Sequence, residues 1–110
     1  MKKDDIDYWE LNEAFAALVL ACLAAWESAE YCKNYLGMDK AFGSIDHARL
    51  NVDGGAIALG HPVGASGARI VLRLAYILKR EKAKRGVATI CIGGGQGGAM
   101  LIENVSEGSL

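Results

Sequence analysis

Apolar and polar positions alternate or recur with different periods along the 110-residue chain, and the changes of period divide it into segments. Residues 5 to 11 (DIDYWEL) read as a short strand that delivers Asn12 and Glu13 at its end. From Ala14 to about Cys32 there is no proline or glycine and much alanine and leucine, the composition of a long, largely buried helix. Residues 34 to 48, punctuated by Gly37, Asp39, Gly43, Ser44 and Asp46, read as a loop with one short helical turn. Residues 51 to 59 (NVDGGAIAL) read as a strand interrupted by a glycine pair. Ile70, Val71, Leu74, Ile77 and Leu78 recur at helical spacing behind Ser66, which is placed to act as an N-cap. That helix runs into Lys79, Arg80, Lys82, Lys84 and Arg85, cations suited to the negative end of a helix dipole, with Gly86 as its stop. Residues 87 to 92 (VATICI) and 99 to 104 (AMLIEN) flank the glycine turn GGGQGG, and strands so close in sequence pair antiparallel. Ser106 to Leu110 read as a frayed end.

These elements make one α/β domain, and the length suits a single core. Twelve basic residues against thirteen acidic ones leave a formal net charge of −1, without the basic excess of a nucleic-acid binder. The longest uncharged apolar run, Ala14 to Trp26, falls short of the roughly 20 residues a membrane span needs. Lys2 and Lys3 are followed by Asp4, Asp5, Asp7, Glu10 and Glu13, which is not the pattern of a signal peptide, so the expected compartment is the cytoplasm. Three cysteines without C-x-x-C spacing fit neither a disulfide framework nor a structural zinc site, and no metal is expected. His47 reads as a surface residue.

Glycine is 14 of 110 residues and proline only one, which suggests close backbone approaches rather than disorder. Gly93, Gly95 and Gly98 satisfy the G-x-G-x-x-G spacing, but a dinucleotide site needs a following helix and a distant acidic residue, and only 12 residues follow Gly98. A different chemistry fits better. Cys91 ends a strand just before Gly93, whose N–H is free to point at a ligand, the way an oxyanion hole is built. His61, held extended by Pro62, can reach the same cleft. A thiol beside an imidazole and backbone donors suits nucleophilic or proton-transfer chemistry.

Three blocks, NEAFA at 12 to 16, NVDGGAIALGHPVGASGARI at 51 to 70 and CIGGGQGGAM at 91 to 100, resemble in order and content the C-terminal signatures of the thiolases, the acetyl-CoA acetyltransferases and 3-ketoacyl-CoA thiolases. The resemblance implies part of a thiolase half-domain: a mixed sheet with one buried and one covering helix, over residues 1–110, with an unmatched insertion at about 27–50. It implies thioester Claisen condensation or thiolysis, in lipid metabolism, with His61 as the base that activates a nucleophilic cysteine and then donates to the enolate oxygen. It further implies Cys91 as the general acid/base at the acetyl-CoA α-carbon, Asn12 holding a water in one oxyanion hole, Gly93 giving a backbone N–H to the other, and Phe15 walling the acyl pocket. Coenzyme A enters as a thioester substrate, and no further cofactor is implied.

The family's nucleophilic cysteine belongs to its N-terminal half, and neither Cys22 nor Cys32, both in the predicted helix without an activating neighbour, replaces it. The resemblance therefore implies a partner, an N-terminal thiolase half or subunit, without which the chain is inactive. Uncovered apolar surface implies a homo-oligomer as well. The alternative is a non-catalytic, thiolase-derived module that binds an acyl-CoA or a protein, or a truncated gene product.

Overall fold

A computed structural model describes residues 1–105; the fraying expected for Ser106 to Leu110 lies outside them. Three strands form one mixed sheet in the order β1 (Tyr8–Leu11), β2 (Arg85–Ile92), β3 (Gln96–Glu103). β1 pairs parallel to β2, with Tyr8 opposite Gly86 and Leu11 opposite Thr89. β2 and β3 pair antiparallel through the glycine turn, Ile92 opposite Gln96 and Arg85 opposite Glu103, as their closeness in sequence requires. Gly94 and Gly95 adopt φ of 79° and 81° in that turn, a region costly for any residue with a Cβ. β1 starts later than the sequence suggests because residues 3–5 form a 3₁₀ turn. Asp7 then accepts the backbone N–H groups of Lys84 and Arg85, joining the starts of β1 and β2, and these two bonds, Arg85's the larger effect, hold its carboxyl below the usual range.

Helix α4 (Ser66–Arg80) covers one face of the sheet. Ser66, Ile70, Leu74, Ile77 and Leu78 are its buried residues, spaced to make one stripe. Ile70, Leu74 and Leu78 form a core with Ala88, flanked by Tyr8 and Ile102. Ser66 is the first helical residue; the N-cap position belongs to Ala65, so the hydroxyl is free for another purpose. The helix stops at Lys82, which takes the left-handed φ of 52°, before the expected Gly86. Gly86 lies within β2 instead, where a Cβ would stand 2.6 Å from Leu74 Cδ1, so its lack of a side chain lets α4 approach the strand.

The other face carries Trp9, Leu11 and Val87, met by Leu23 and Ile45. The expected single helix from Ala14 to Cys32 is two: α1 (Ala16–Glu27) and α2 (Ala29–Leu36). Ser28 causes the break, since its extended backbone ends α1 while its hydroxyl accepts the N–H of Tyr31 to cap α2. The turn redirects the chain so that Trp26 and Phe42 stack around Trp9, with centroids 5.8–6.0 Å apart. Cys32 is sealed beneath this turn, its thiol donating towards the Ala25 and Trp26 carbonyls and accepting from the Phe42 N–H. α1 itself is not the buried helix expected: only Leu23 is fully enclosed.

Residues 51–59 are not a strand. Leu50 makes a single parallel bridge to Trp9, Asn51 turns the chain at φ 47°, and α3 (Ala56–Leu59) is one helical turn.

Candidate functional site

The parallel pairing carries β1 up to Leu11, and Asn12, just beyond it, still donates its backbone N–H to the Thr89 carbonyl at 2.9 Å. Asn12 is thereby fixed at the C-terminal end of β1, and it is only 3% exposed. Asn51 holds the same corner: its amide accepts from the Leu11 N–H and donates to the Leu11 carbonyl, both at 2.9 Å. A side chain thus takes the place of a neighbouring strand. The Asn51 amide also donates to Glu13, whose other oxygen accepts the N–H of Ile57 at the start of α3. A Cβ on Gly55 would collide with that Glu13 carboxylate, so this glycine of NVDGG serves to admit an acidic anchor. Asp53, bound by Arg80 at 2.9 and 3.0 Å with Arg73 nearby, ties the same loop to α4, and these guanidiniums, that of Arg80 first, hold its carboxyl low.

This scaffold delivers His61. Its Nε2 stands 3.5 Å from Asn12 Nδ2, and its Nδ1 is in hydrogen-bond contact with the Oγ of the fully buried Ser66. Asn12 Oδ1 is buried with no protein partner, which leaves an acceptor at the site.

Cys91 is exposed near the end of β2, opposite Gly97. It shares with Asn12 an apolar groove of about 330 Å³ between α1 and the β2–β3 hairpin, whose walls include Leu18, Cys22, Trp26 and Ile90. Burial, and secondarily the neighbouring Cys91, push the Cys22 thiol up. His61 does not line this groove, and no hydrogen bond joins it to Cys91 among the described residues. Asn12 is the residue common to both. Gly93 opens the hairpin turn with open space around its Cα. Phe15 precedes α1 and is 74% exposed, outside the walls of the groove. A second hollow, about 280 Å³ and bordered by Lys3, Asp46 and Arg49, lies at the opposite end of β1. Among the described residues no group of three or more His, Cys, Asp or Glu could hold a metal ion, and no helix is long and apolar enough to cross a membrane.

The strand-end asparagine meeting a Gly-His-Pro loop, beside a Cys-Ile-Gly-Gly-Gly turn, is matched by a family model. The model described as "Thiolase, C-terminal domain" covers residues 1–104. The chain belongs to the thiolase family. A 3-ketoacyl-CoA thiolase of Shewanella loihica is 42% identical over 103 residues, which are 94% of this chain and 24% of that protein. A mitochondrial acetyl-CoA acetyltransferase of Xenopus tropicalis is 48% identical over 105 residues, 96% of this chain and 20% of its own length. The solved structure of an acetyl-CoA acetyltransferase from Syntrophomonas wolfei superposes with a TM-score of 0.72 at 40% identity, over 93% of this chain and 23% of that one. The chain therefore spans about a quarter of the length of the thiolases it matches.

Ser66, Asn51 and Glu13 are the residues that the sequence patterns did not single out for the site. All three stand inside the motif blocks at 12 to 16 and 51 to 70.

Proposed function

We propose that this chain supplies the proton-transfer part of a thiolase-type acyltransferase acting on acyl-CoA thioesters. The observation that carries the reading is that Asn12 both contacts His61 and lines a groove that also holds Cys91. In this reading the nucleophilic cysteine comes from a partner, the remainder of a thiolase fold. His61 takes the proton of that thiol as it attacks an acyl-CoA carbonyl and keeps it, while coenzyme A leaves as a thiolate that is protonated from solvent. Cys91 then removes the α-proton of a second acetyl-CoA. The resulting enolate attacks the acyl-enzyme, and the partner's cysteine departs, recovering its proton from His61; thiolysis runs the same steps backwards.

The residue types suit these tasks. An enolate needs a base beside donors already aimed at its oxygen. The protonated imidazole of His61 is one such donor, and a water held by Asn12, whose Oδ1 is a free buried acceptor, is the second. The N–H of Gly93 serves the acyl carbonyl. Phe15, exposed in this chain, walls the acyl pocket only once the partner is seated against it. Coenzyme A is substrate, and the chemistry calls for no metal or further cofactor. We place the reaction in lipid metabolism in the cytoplasm, in an assembly of more than one chain.

The test is α-proton exchange from acetyl-CoA in deuterated buffer, measured on this chain combined with a protein supplying the rest of a thiolase. His61→Ala and Cys91→Ala should each slow exchange by about 10²- to 10⁴-fold, the usual worth of a positioned acid or base. Exchange at the unaltered rate in Cys91→Ala would refute the assignment, and a combined protein that binds acyl-CoA without exchange would make the chain a binding module.

A further inference from the structure

We infer that Ser66 is a positioning residue that fixes which ring nitrogen of His61 carries the proton, leaving the lone pair of Nε2 facing Asn12. Ser66 is fully buried at the first position of α4, and its Oγ lies 3.2 Å from the Pro62 carbonyl, a group that can only accept. The tautomer follows if the single hydroxyl hydrogen is given to that carbonyl rather than to His61 Nδ1. Towards His61, Ser66 Oγ then only accepts, so Nδ1 bears the hydrogen. A neutral imidazole has one ring N–H, so Nε2 is the acceptor, and the group facing it, Asn12 Nδ2, is a donor. The bonds run in one direction, from the Asn12 amide through the imidazole and the serine hydroxyl to the Pro62 carbonyl.

The end of this relay is well anchored. The Pro62 carbonyl also accepts the N–H groups of Ala65 and Ser66 at 2.8 and 3.0 Å, which closes the turn leading into α4. Pro62 fixes its own φ, and the residue before it is held extended, so the imidazole enters from a restrained backbone. The helix therefore aims the histidine through a hydroxyl, the part a carboxylate plays in other catalytic relays. The functional meaning of this arrangement rests on the reading of His61 as a base, for which a bare Nε2 is required before it takes a proton. The arrangement itself can be observed without any turnover.

The chain has two histidines, so ¹⁵N-labelled imidazoles give two sets of long-range ¹H–¹⁵N correlations, which His47→Gln assigns. The spectra are recorded at about pH 8.5, above the ordinary histidine range near 6.5. His61 should then show a protonated Nδ1 and a bare Nε2, the reverse of the tautomer that predominates in an unconstrained imidazole. Ser66→Thr, which keeps the hydroxyl, should preserve that pattern. Ser66→Ala should move His61 towards the Nε2–H form while His47, in its separate 3₁₀ turn, keeps its shifts and reports an intact fold. In the thiolase combination, Ser66→Ala should lower kcat about 10- to 100-fold with little change in KM, as loss of a histidine-orienting partner does elsewhere. An Nε2–H tautomer in the unaltered chain, or in Ser66→Thr, would overturn the inference even where Ser66→Ala fails to fold. So would a tautomer indifferent to Ser66→Ala. Failure of the acyl-transfer reading shows separately, as missing exchange at acetyl-CoA with the Nδ1–H tautomer in place.

Discussion

The two faces of the sheet are covered by helices of different character, amphipathic α4 on one and apolar α1 on the other, and end in different states. On the α4 face a narrow apolar stripe meets Ala88 and the strand backbone so closely that a Cβ on Gly86 would collide with Leu74. On the α1 face the aromatic triad of Trp9, Trp26 and Phe42 closes one end, while the end nearest Cys91 remains an open apolar groove. α1 has no polar side: AALVLACLAAWE is apolar around its circumference, yet Leu20 is 63% exposed. A helix apolar all round belongs inside a larger body. The α4 face is a finished core, and the α1 face is a surface that suits a partner, in keeping with a chain spanning a quarter of its relatives' length.

The largest expected contrast is between two leucines. Leu74→Ala, at a fully buried site, should cost about 2–5 kcal/mol in denaturant unfolding, whereas Leu20→Ala should stay within about 0.5 kcal/mol. Comparable losses at both positions would mean that α1 is as tightly enclosed as α4.

The α4 face also hides a carboxylate. Glu10 is buried between β1 and α4, its Oε1 and the Nε and Nη2 of Arg69 lack hydrogen-bond partners, and burial, only partly offset by Arg69, raises its pKa from 4.5 to about 7. The folded state thus holds a proton that the unfolded state has released. Stability from this group is fully present below the unfolded pKa and is lost as pH rises through about 7. Glu10→Gln should remove up to about 3 kcal/mol of that decline, so wild type and variant diverge across this window, with the variant more stable at the alkaline end. Parallel stability curves would show that Glu10 ionises as freely folded as unfolded.

Gly86→Ala should cost about 1–3 kcal/mol, because the added methyl displaces Leu74; the same change at Gly64, where a Cβ meets nothing, should have a much smaller effect. The smallest effect on stability belongs to Leu20→Glu, which should leave unfolding nearly unchanged while shifting sedimentation towards smaller species. Unaltered sedimentation in that variant would mean that α1 makes no self-contact.

What could be read from the sequence follows the same division. The α4 stripe, the β2–β3 hairpin and the α/β class were legible because each depends on a regular period or a short turn. The break at Ser28 was not: the stretch free of glycine and proline continues through it, and only the hydroxyl's contact with Tyr31 reveals a cap. The region 51–59 misread as a strand because Asn51 imitates strand pairing with its side chain, which leaves β-like residues without a ladder. Of the site, the motif blocks marked Asn12, His61, Cys91 and Gly93. The contact between Asn12 and His61 across 49 residues, and Ser66 behind it, depend on how α4 crosses the sheet and have no local signature.

The claim that matters most is that this chain carries proton-transfer groups whose nucleophile lies on a partner. It is tested most directly by thiolysis of acetoacetyl-CoA, followed with the 110-residue chain alone and then with a protein supplying the rest of a thiolase. No turnover above background is expected alone, because without an acyl-enzyme the positioned groups contribute only about 10²- to 10⁴-fold. Turnover should appear on combination and disappear again with His61→Ala. Robust thiolysis by the chain alone would contradict this, and would make one of Cys22, Cys32 or Cys91 the nucleophile.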